Sequence, residues 1–466
     1  MKPPFVLVSE ARGEFLLLER IRRELERLGW PTVHINPHAD DVTEAEARRT
    51  GTIVLERHPA FQQATRLAGA ELDGAVSEAQ AELGINLRRL WKADLRSWRE
   101  GYSDDAMARI TVGSLWAWRQ CLDEVGAAAS LWGEDGGHVA KRIAFVLAAQ
   151  RGIPTAFVYV SPLPGRLLVL DNALNRLDPV AFSNLEPSED ERAYANQLLA
   201  DVRSSRVQFA VPRDLSFEPA KIARFSGLLV ARYVRRPPGS ASLYPFRFAR
   251  GYAKQRAGRA LLRSVYQQLG DRPFVFHPIH AGFDAQISVR APQWENQLAL
   301  VGHIASSLPY GYELAVKEHP FEVGALPVAG LRSLLRQKPE VRLLEPTIHA
   351  HAILARCVAV TTINSTTGFE ALFFRRPVLT FGHGPYRGLG LTLDVDDPFD
   401  TPGLLLEAVN RPPVDEEAIR RLIAFLHRNS CPGRSLAYDR SDENIGRHAA
   451  ILVEFADARA GVSSRG

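Results

Sequence analysis

Apolar residues in this chain follow two patterns that take turns. Short β-branched runs bounded by turn residues alternate with stretches in which apolar positions recur every three or four residues, and that alternation predicts strands and helices of open, mostly parallel sheets. Phe5-Val6-Leu7-Val8 is the first run, Leu17, Ile21, Leu25 and Leu28 share a helix face from about Glu14 to Leu28, Gly29 closes that helix, and Thr32-Val33-His34-Ile35 is the next strand. Residues 42–128 are rich in Ala, Arg and Glu and read as mostly helical. Trp91, Trp98, Trp116 and Trp118 there either anchor helix packing or line an acceptor groove. Ala129 to Trp132 predicts a strand, Gly133-Glu134-Asp135-Gly136-Gly137 a turn, His138 to Arg151 a helix and Thr155 to Val160 a buried strand.

The alternation resumes near Arg272. Strands are predicted at Pro273 to Pro278, Tyr312 to Val316 and Val341 to Leu344, with helices at Trp294 to Leu308 and His349 to Ala355. Val358 to Ile363 then makes a buried parallel strand, Asn364-Ser365-Thr366-Thr367-Gly368 a hydroxyl-rich turn, Phe369, Leu372 and Phe373 a helix face, and Val378 to Phe381 another strand after the stop at Arg375-Arg376-Pro377. The fold class is α/β. At 466 residues the chain exceeds one ordinary core. The expected division is an N-terminal Rossmann-like domain with a helical insertion over 1–265, a C-terminal Rossmann-like domain over 266–440, and a helix and tail over 441–466. Arg235 to Ser240, with two prolines and a glycine, reads as a loop or linker.

Composition adds limits. Hydrophobic content of 46% and charged content of 24% are those of a globular protein, and a net charge of +4 is too small for this length to point to nucleic acid. It leaves room for anionic ligands or a membrane surface, and Arg247, Arg250, Lys254, Arg256, Arg259 and Arg263 recur at spacings that suit basic helix faces. Cys121, Cys357 and Cys431 form neither a zinc pattern nor a disulfide framework, which fits a reducing cytoplasm. The first residues do not form a signal peptide, and no apolar run reaches the roughly 18 residues of a membrane span.

Three stretches carry candidate chemistry. The turn Asn364 to Gly368 opens a helix, where backbone N–H groups and hydroxyls either converge on a phosphate or simply cap the helix. Lys317 and His319 end a strand one unit upstream, placed either to meet that same phosphate or, for the histidine, to satisfy the backbone. Glu134 and Asp135 lie in a glycine turn at another strand end, as a general base or as a helix cap. Neither GxxxxGK[ST] nor GxGxxG occurs, which removes the usual support for P-loop hydrolases and dinucleotide oxidoreductases.

Glu134-Asp135-Gly136, His319-Pro320 and Ser365-Thr366, in that order, resemble the three separated signals of bacterial sialyltransferases and polysialyltransferases. Phe276 to Ile287 (FHPIHAGFDAQI), Leu314 to Pro320 (LAVKEHP) and Thr362 to Tyr386 (TINSTTGFEALFFRRPVLTFGHGPY) are still more similar to the capsule polysaccharide biosynthesis family, which includes β-Kdo transferases that use CMP-Kdo. The resemblance implies a GT-B fold, two Rossmann-like domains facing across a cleft, and metal-independent transfer from a CMP-sugar to a glycan or glycolipid, with no cofactor. It implies that His319 contacts the CMP phosphate, that Ser365 and Thr366 cradle it with Asn364, Thr367 and Pro320 beside them, that Lys317 neutralises charge, and that Asp135 or Glu134 deprotonates the acceptor. Asp284 is the substitute base, with His280 and Gln286 as further substrate contacts. Direct displacement with one base predicts inversion at the anomeric carbon. A cytoplasmic enzyme, peripheral on the inner membrane, follows. Two alternatives stay open: a UDP-, GDP- or dTDP-sugar transferase in which Glu370 binds a ribose, and a non-catalytic component of polysaccharide assembly or export.

Overall fold

The β-branched runs of each half pair with one another, and two sheets result. The computed structural model describes residues 2–94, 96–97, 101–126, 128, 130–133, 136–172, 176–207, 244–282, 284–436 and 438–463. The first sheet contains β1 (Phe5–Val8), β2 (Thr32–Asn36), β3 (Ile53–Val54), β4 (Ser130–Trp132), β5 (Thr155–Val160), β6 (Arg166–Leu170) and β13 (Ser430–Pro432), in the order β13-β6-β5-β4-β1-β2-β3. The second contains β7 (Phe274–Pro278), β8 (Glu313–Lys317), β9 (Val341–Leu343), β10 (Ala359–Thr362), β11 (Val378–Thr380) and β12 (Leu393–Asp394), in the order β12-β11-β10-β7-β8-β9. All pairs are parallel except β5 with β6 and β6 with β13. Two Rossmann-like units in one chain make the GT-B architecture.

β1 and β10 are buried along their whole length, which is why their sequences are continuously apolar or β-branched rather than alternating. The helix Arg12–Arg27 buries Leu17, Ile21 and Leu25 against Phe5 and Leu7. Leu28, expected on the same face, is the C-cap and is exposed, because the helix ends one residue before it. Among the four tryptophans, Trp91 and Trp118 are buried and Trp116 packs against the same core, so these three anchor helices; Trp98 lies outside the described residues.

The chain crosses between the units more than once. The helix Glu189–Arg203 places Ala195, Leu198, Leu199 and Val202 in one core with Phe369, Leu372, Leu422 and Phe425 of the second half. Ser430–Pro432 then returns to the first sheet as β13, and the helix Asp442–Ser463 sets Ile445, Ala449 and Leu452 against Phe5, Leu18 and Ile21. The return at Ser430 comes before the boundary expected at 440. Cys121 and Cys357 are buried free thiols, and Cys431 is free in β13.

Candidate active site

Strand order fixes where a ligand crevice opens. From β7 the second sheet grows through β8 and β9 on one side and through β10, β11 and β12 on the other. Loops leaving β7 and β10 therefore part company, and open sheets of this kind bind ligands outside the strand ends at that point. Three sequence-predicted groups meet there: His280, Asp284 and Gln286 after β7, Lys317 to Pro320 after β8, and Asn364 to Thr367 after β10. A hydrogen bond of 2.7 Å from Asn364 Nδ2 to the Gln286 carbonyl ties the first loop to the third. Three buried polar atoms at this edge, His280 Nε2, Gln286 Oε1 and Asn364 Oδ1, have no hydrogen-bond partner among the described residues. Buried polar groups normally find partners, so such a group of orphans marks a place for a ligand.

In the hydroxyl turn several N–H groups are taken up within the chain: Ser365 N donates to Thr362 Oγ1 at 3.1 Å, Thr367 N to Ser365 Oγ at 3.1 Å, and Gly368 N to the Ser365 carbonyl at 2.9 Å. Ser365 Oγ thus takes up the N–H of Thr367, the first residue of the helix Thr367–Phe373, and the turn offers two hydroxyls, the Ser365 O–H and that of the exposed Thr366. Tyr386 props the turn from behind by donating to the Ser365 carbonyl at 2.9 Å. Gly368 is required there, since a Cβ would sit 2.3 Å from the Tyr386 ring.

His319 differs from the chain's other two His-Pro histidines. His58 caps a helix through Ala60 N, and His277 is fully buried with Nδ1 3.0 Å from Thr361 Oγ1. His319 is half-buried, and its Nδ1 accepts from Phe321 N at 3.2 Å. That bond assigns the ring proton to Nε2, which becomes a donor. Burial lowers the His319 pKa; Asp284 pulls the other way and Lys317 adds to the lowering, so the ring is neutral at pH 7. Burial also lowers Lys317, partly offset by Glu370. His280 is pushed down to about 3 by burial and by its histidine neighbours, and it too is a neutral ring.

A cavity of about 200 Å³ lies beside these groups, lined by His280, His319, Gly282 and Gln297 with Glu318 and Glu322. Glu318 accepts from the Tyr266 hydroxyl at 2.5 Å and from Gly324 N at 3.0 Å, while Glu322 accepts from Gly282 N at 2.7 Å. Burial raises both carboxyls. Asp284 caps the short helix Ala285–Ser288 through Gln286 N at 2.9 Å, which commits one of its oxygens. Glu370 is buried with a carboxylate oxygen 3.4 Å from His351 Nε2.

In the first unit the equivalent parting point lies between β1 and β4, where the chain leaves Trp132 toward Gly136. Glu134 and Asp135 lie outside the described residues. Further along, the chain meets the helix Leu87–Ala93: Gly137 abuts the Ala93 carbonyl, and Asp94 accepts from Val139 N at 2.8 Å. That helix packs against Ala285–Ser288 of the second unit. Arg290, buried beside that helix, donates to the Tyr159 hydroxyl at 3.1 Å and so joins the two units. No sequence signal marked it, because a lone arginine after a short helix looks like any surface charge.

Comparison with known proteins gives one family match. Residues 232–398 match the family model described as capsule polysaccharide biosynthesis protein. The match holds all six strands of the second sheet and every loop of its crevice. No curated protein matches the chain. Among solved structures, a Thermosulfurimonas dismutans KpsC β-Kdo 2,4-transferase is 16% identical with a TM-score of 0.37, covering 64% of this chain and 79% of its own. The KpsC β-Kdo 2,7-transferase of the same organism is 15% identical with a TM-score of 0.35, covering 72% and 89%. The Streptomyces nogalater glycosyltransferase SnogD is 13% identical with a TM-score of 0.27, covering 97% and 99%. Among the described residues no helix is long and apolar enough to cross a membrane.

Proposed function

We propose that this protein is a glycosyltransferase of surface polysaccharide synthesis that moves a Kdo- or sialic-acid-like sugar from a CMP-activated donor to a glycan or glycolipid. One observation carries the reading: the parting point of the second sheet gathers His280, Lys317, His319 and the Asn364–Thr367 turn, with three buried polar atoms left for a ligand. The capsule-family match over the same loops supports the class of reaction.

Departure of CMP leaves charge on a phosphate oxygen. Groups that meet that charge without rearranging lower the barrier most. The His319 Nε2–H, the Lys317 ammonium and the Ser365 and Thr366 hydroxyls are such groups, and they supply charge stabilisation from the chain itself, without a metal. The acceptor hydroxyl needs a carboxylate within hydrogen-bond reach. Asp135 takes that role from the first unit, Glu134 supports it, and the helix pair Leu87–Ala93 and Ala285–Ser288 brings the two units together at this edge. A nucleotide-sugar donor implies the cytoplasm. The helix Tyr244–Leu262, with Arg250 and Lys254 exposed, suits peripheral contact with the inner membrane.

Isothermal titration tests this. CMP should bind, UDP should bind at least about tenfold more weakly, and turnover of CMP-Kdo or CMP-sialic acid should survive excess EDTA. Tighter binding of UDP moves the donor to another nucleotide class. Binding of neither nucleotide favours an assembly or export component.

A further inference from the structure

The first unit holds a polar cluster that nucleotide binding does not use. Strand β1 ends at Val8, and Glu10 follows where β1 parts from β4. The Glu10 side chain is only 9% exposed. Its Oε2 lies 3.4 Å from Lys141 Nζ and 3.5 Å from His138 Nε2, and Lys141, itself 1% exposed, also lies 3.5 Å from Glu14. The carboxylate is therefore fixed and its charge is balanced on one side. The other side is empty-handed: Glu10 Oε1 and His138 Nδ1 are buried and have no hydrogen-bond partner among the described residues. An unpaired buried carboxylate oxygen costs free energy that a donor would recover.

Neighbouring backbone is shaped around this pair. A Cβ on Gly136 would stand 3.2 Å from Glu10 Oε2, and one on Gly137 would stand 2.2 Å from the Ala93 carbonyl. The glycines let the loop lie flat between the carboxylate and the helix Leu87–Ala93. Because that helix touches Ala285–Ser288, Glu10 and the nucleotide-side loop after β7 are one helix apart.

We propose that Glu10 and His138 form the subsite for a hydroxyl pair of the acceptor sugar. Glu10 Oε1 accepts from one hydroxyl, and His138 Nδ1 bonds the next. A carboxyl oxygen with a ring nitrogen beside it suits a neutral polyol face, and Lys141, 3.4 Å from Glu10 Oε2, holds the carboxyl group in place. The inference rests on the transferase reading and adds the acceptor's contact to it.

The test uses ligand-observed NMR on the full chain, with methyl β-D-galactopyranoside and the methyl glycoside of Kdo as probes. Glu10→Asp keeps the charge that faces Lys141 but withdraws the oxygens by one methylene. His138→Phe keeps the ring's bulk and removes its nitrogens. Each should weaken binding of the glycoside that wild type binds by at least about tenfold, with CMP affinity within about twofold of wild type. Equal binding by wild type and both variants overturns the subsite, and so does a wild-type protein that binds neither glycoside. Loss of CMP binding in wild type would instead defeat the transferase reading, while the glycoside comparison still decides this one.

Discussion

At His319 a single backbone bond decides what the side chain can do. Because Phe321 N occupies Nδ1, the neutral ring presents Nε2–H, a donor that keeps no charge of its own. His319→Ala should therefore lower kcat by about 10²-fold or more with the melting temperature nearly unchanged; a variant that unfolds would make the histidine structural. Ser365 and Thr366 separate by the same logic. Ser365→Ala removes the oxygen that accepts from Thr367 N and should cost about 1 kcal/mol of stability, whereas the Thr366 side chain makes no capping bond and Thr366→Ala should leave stability nearly unchanged. Together they should cost roughly 1–3 kcal/mol of transition-state stabilisation, read as kcat/KM for the donor. His277 makes a pH prediction. Burial holds it near a pKa of about 4, against an ordinary 6.5. Between those values the unfolded chain takes a proton that the folded chain refuses, so stability present above pH 6.5 is lost as pH falls toward 4, by on the order of 3 kcal/mol. Urea midpoints at pH 7 and pH 4.5 should draw closer in His277→Gln than in wild type; an unchanged gap would place the titration elsewhere.

Among the elements, those legible in the sequence were the ones whose burial is local. β1, β4, β7, β8 and β10 announced themselves because parallel strands covered on both faces must be apolar throughout. β13 did not, because Ser430 pairs with Leu168, far away in the chain; the helix Asp442–Ser463 was expected over 441–466, but not its place in the core with Phe5, a partner hundreds of positions away that no window contains. Glu10 was missed for a similar reason: a glutamate after a strand becomes distinctive only when Lys141 and His138 close around it. The hydroxyl turn was located correctly, but its chemistry was not fully legible. Composition left the N–H groups either free or capped, and the folded chain takes up three of them, those of Ser365, Thr367 and Gly368. That self-bonding makes the turn depend on its support. Gly368→Ala would drive a methyl into Tyr386 and should cost about 1–3 kcal/mol together with donor affinity, while Tyr386→Phe, which loses one hydrogen bond, should cost about 0.5–1.5 kcal/mol. Calorimetry on both variants checks the order; equal costs would show that the glycine's close contact is easily relieved.

At the scale of the molecule the proposed reading divides the work between the two sheets, and the interleaved chain keeps them together. The helix Glu189–Arg203 sits in the second unit's core, and the C-terminal helix sits on the first sheet. Each unit thus owns a segment that sequence order assigns to the other. On the proposed reading the nucleotide meets the crevice of the second sheet and Asp135 meets the acceptor, so donor binding and proton removal should be separable by mutation. Asp135→Asn is nearly isosteric and acts on the acceptor, so CMP affinity should stay within about twofold while transfer falls by about 10²–10⁴-fold. Asp284 follows β7 in the second unit, where it caps Ala285–Ser288 through Gln286 N. Asparagine caps a helix about as well as aspartate, so Asp284→Asn should keep the fold and most of the turnover. The product's anomeric configuration, read by NMR, completes the assignment: direct displacement with one base gives inversion, and retention would mean that a carboxylate attacks the sugar before the acceptor does. If Asp284→Asn is inactive while Asp135→Asn turns over normally, the base lies on the second unit and the division of labour between the sheets is wrong.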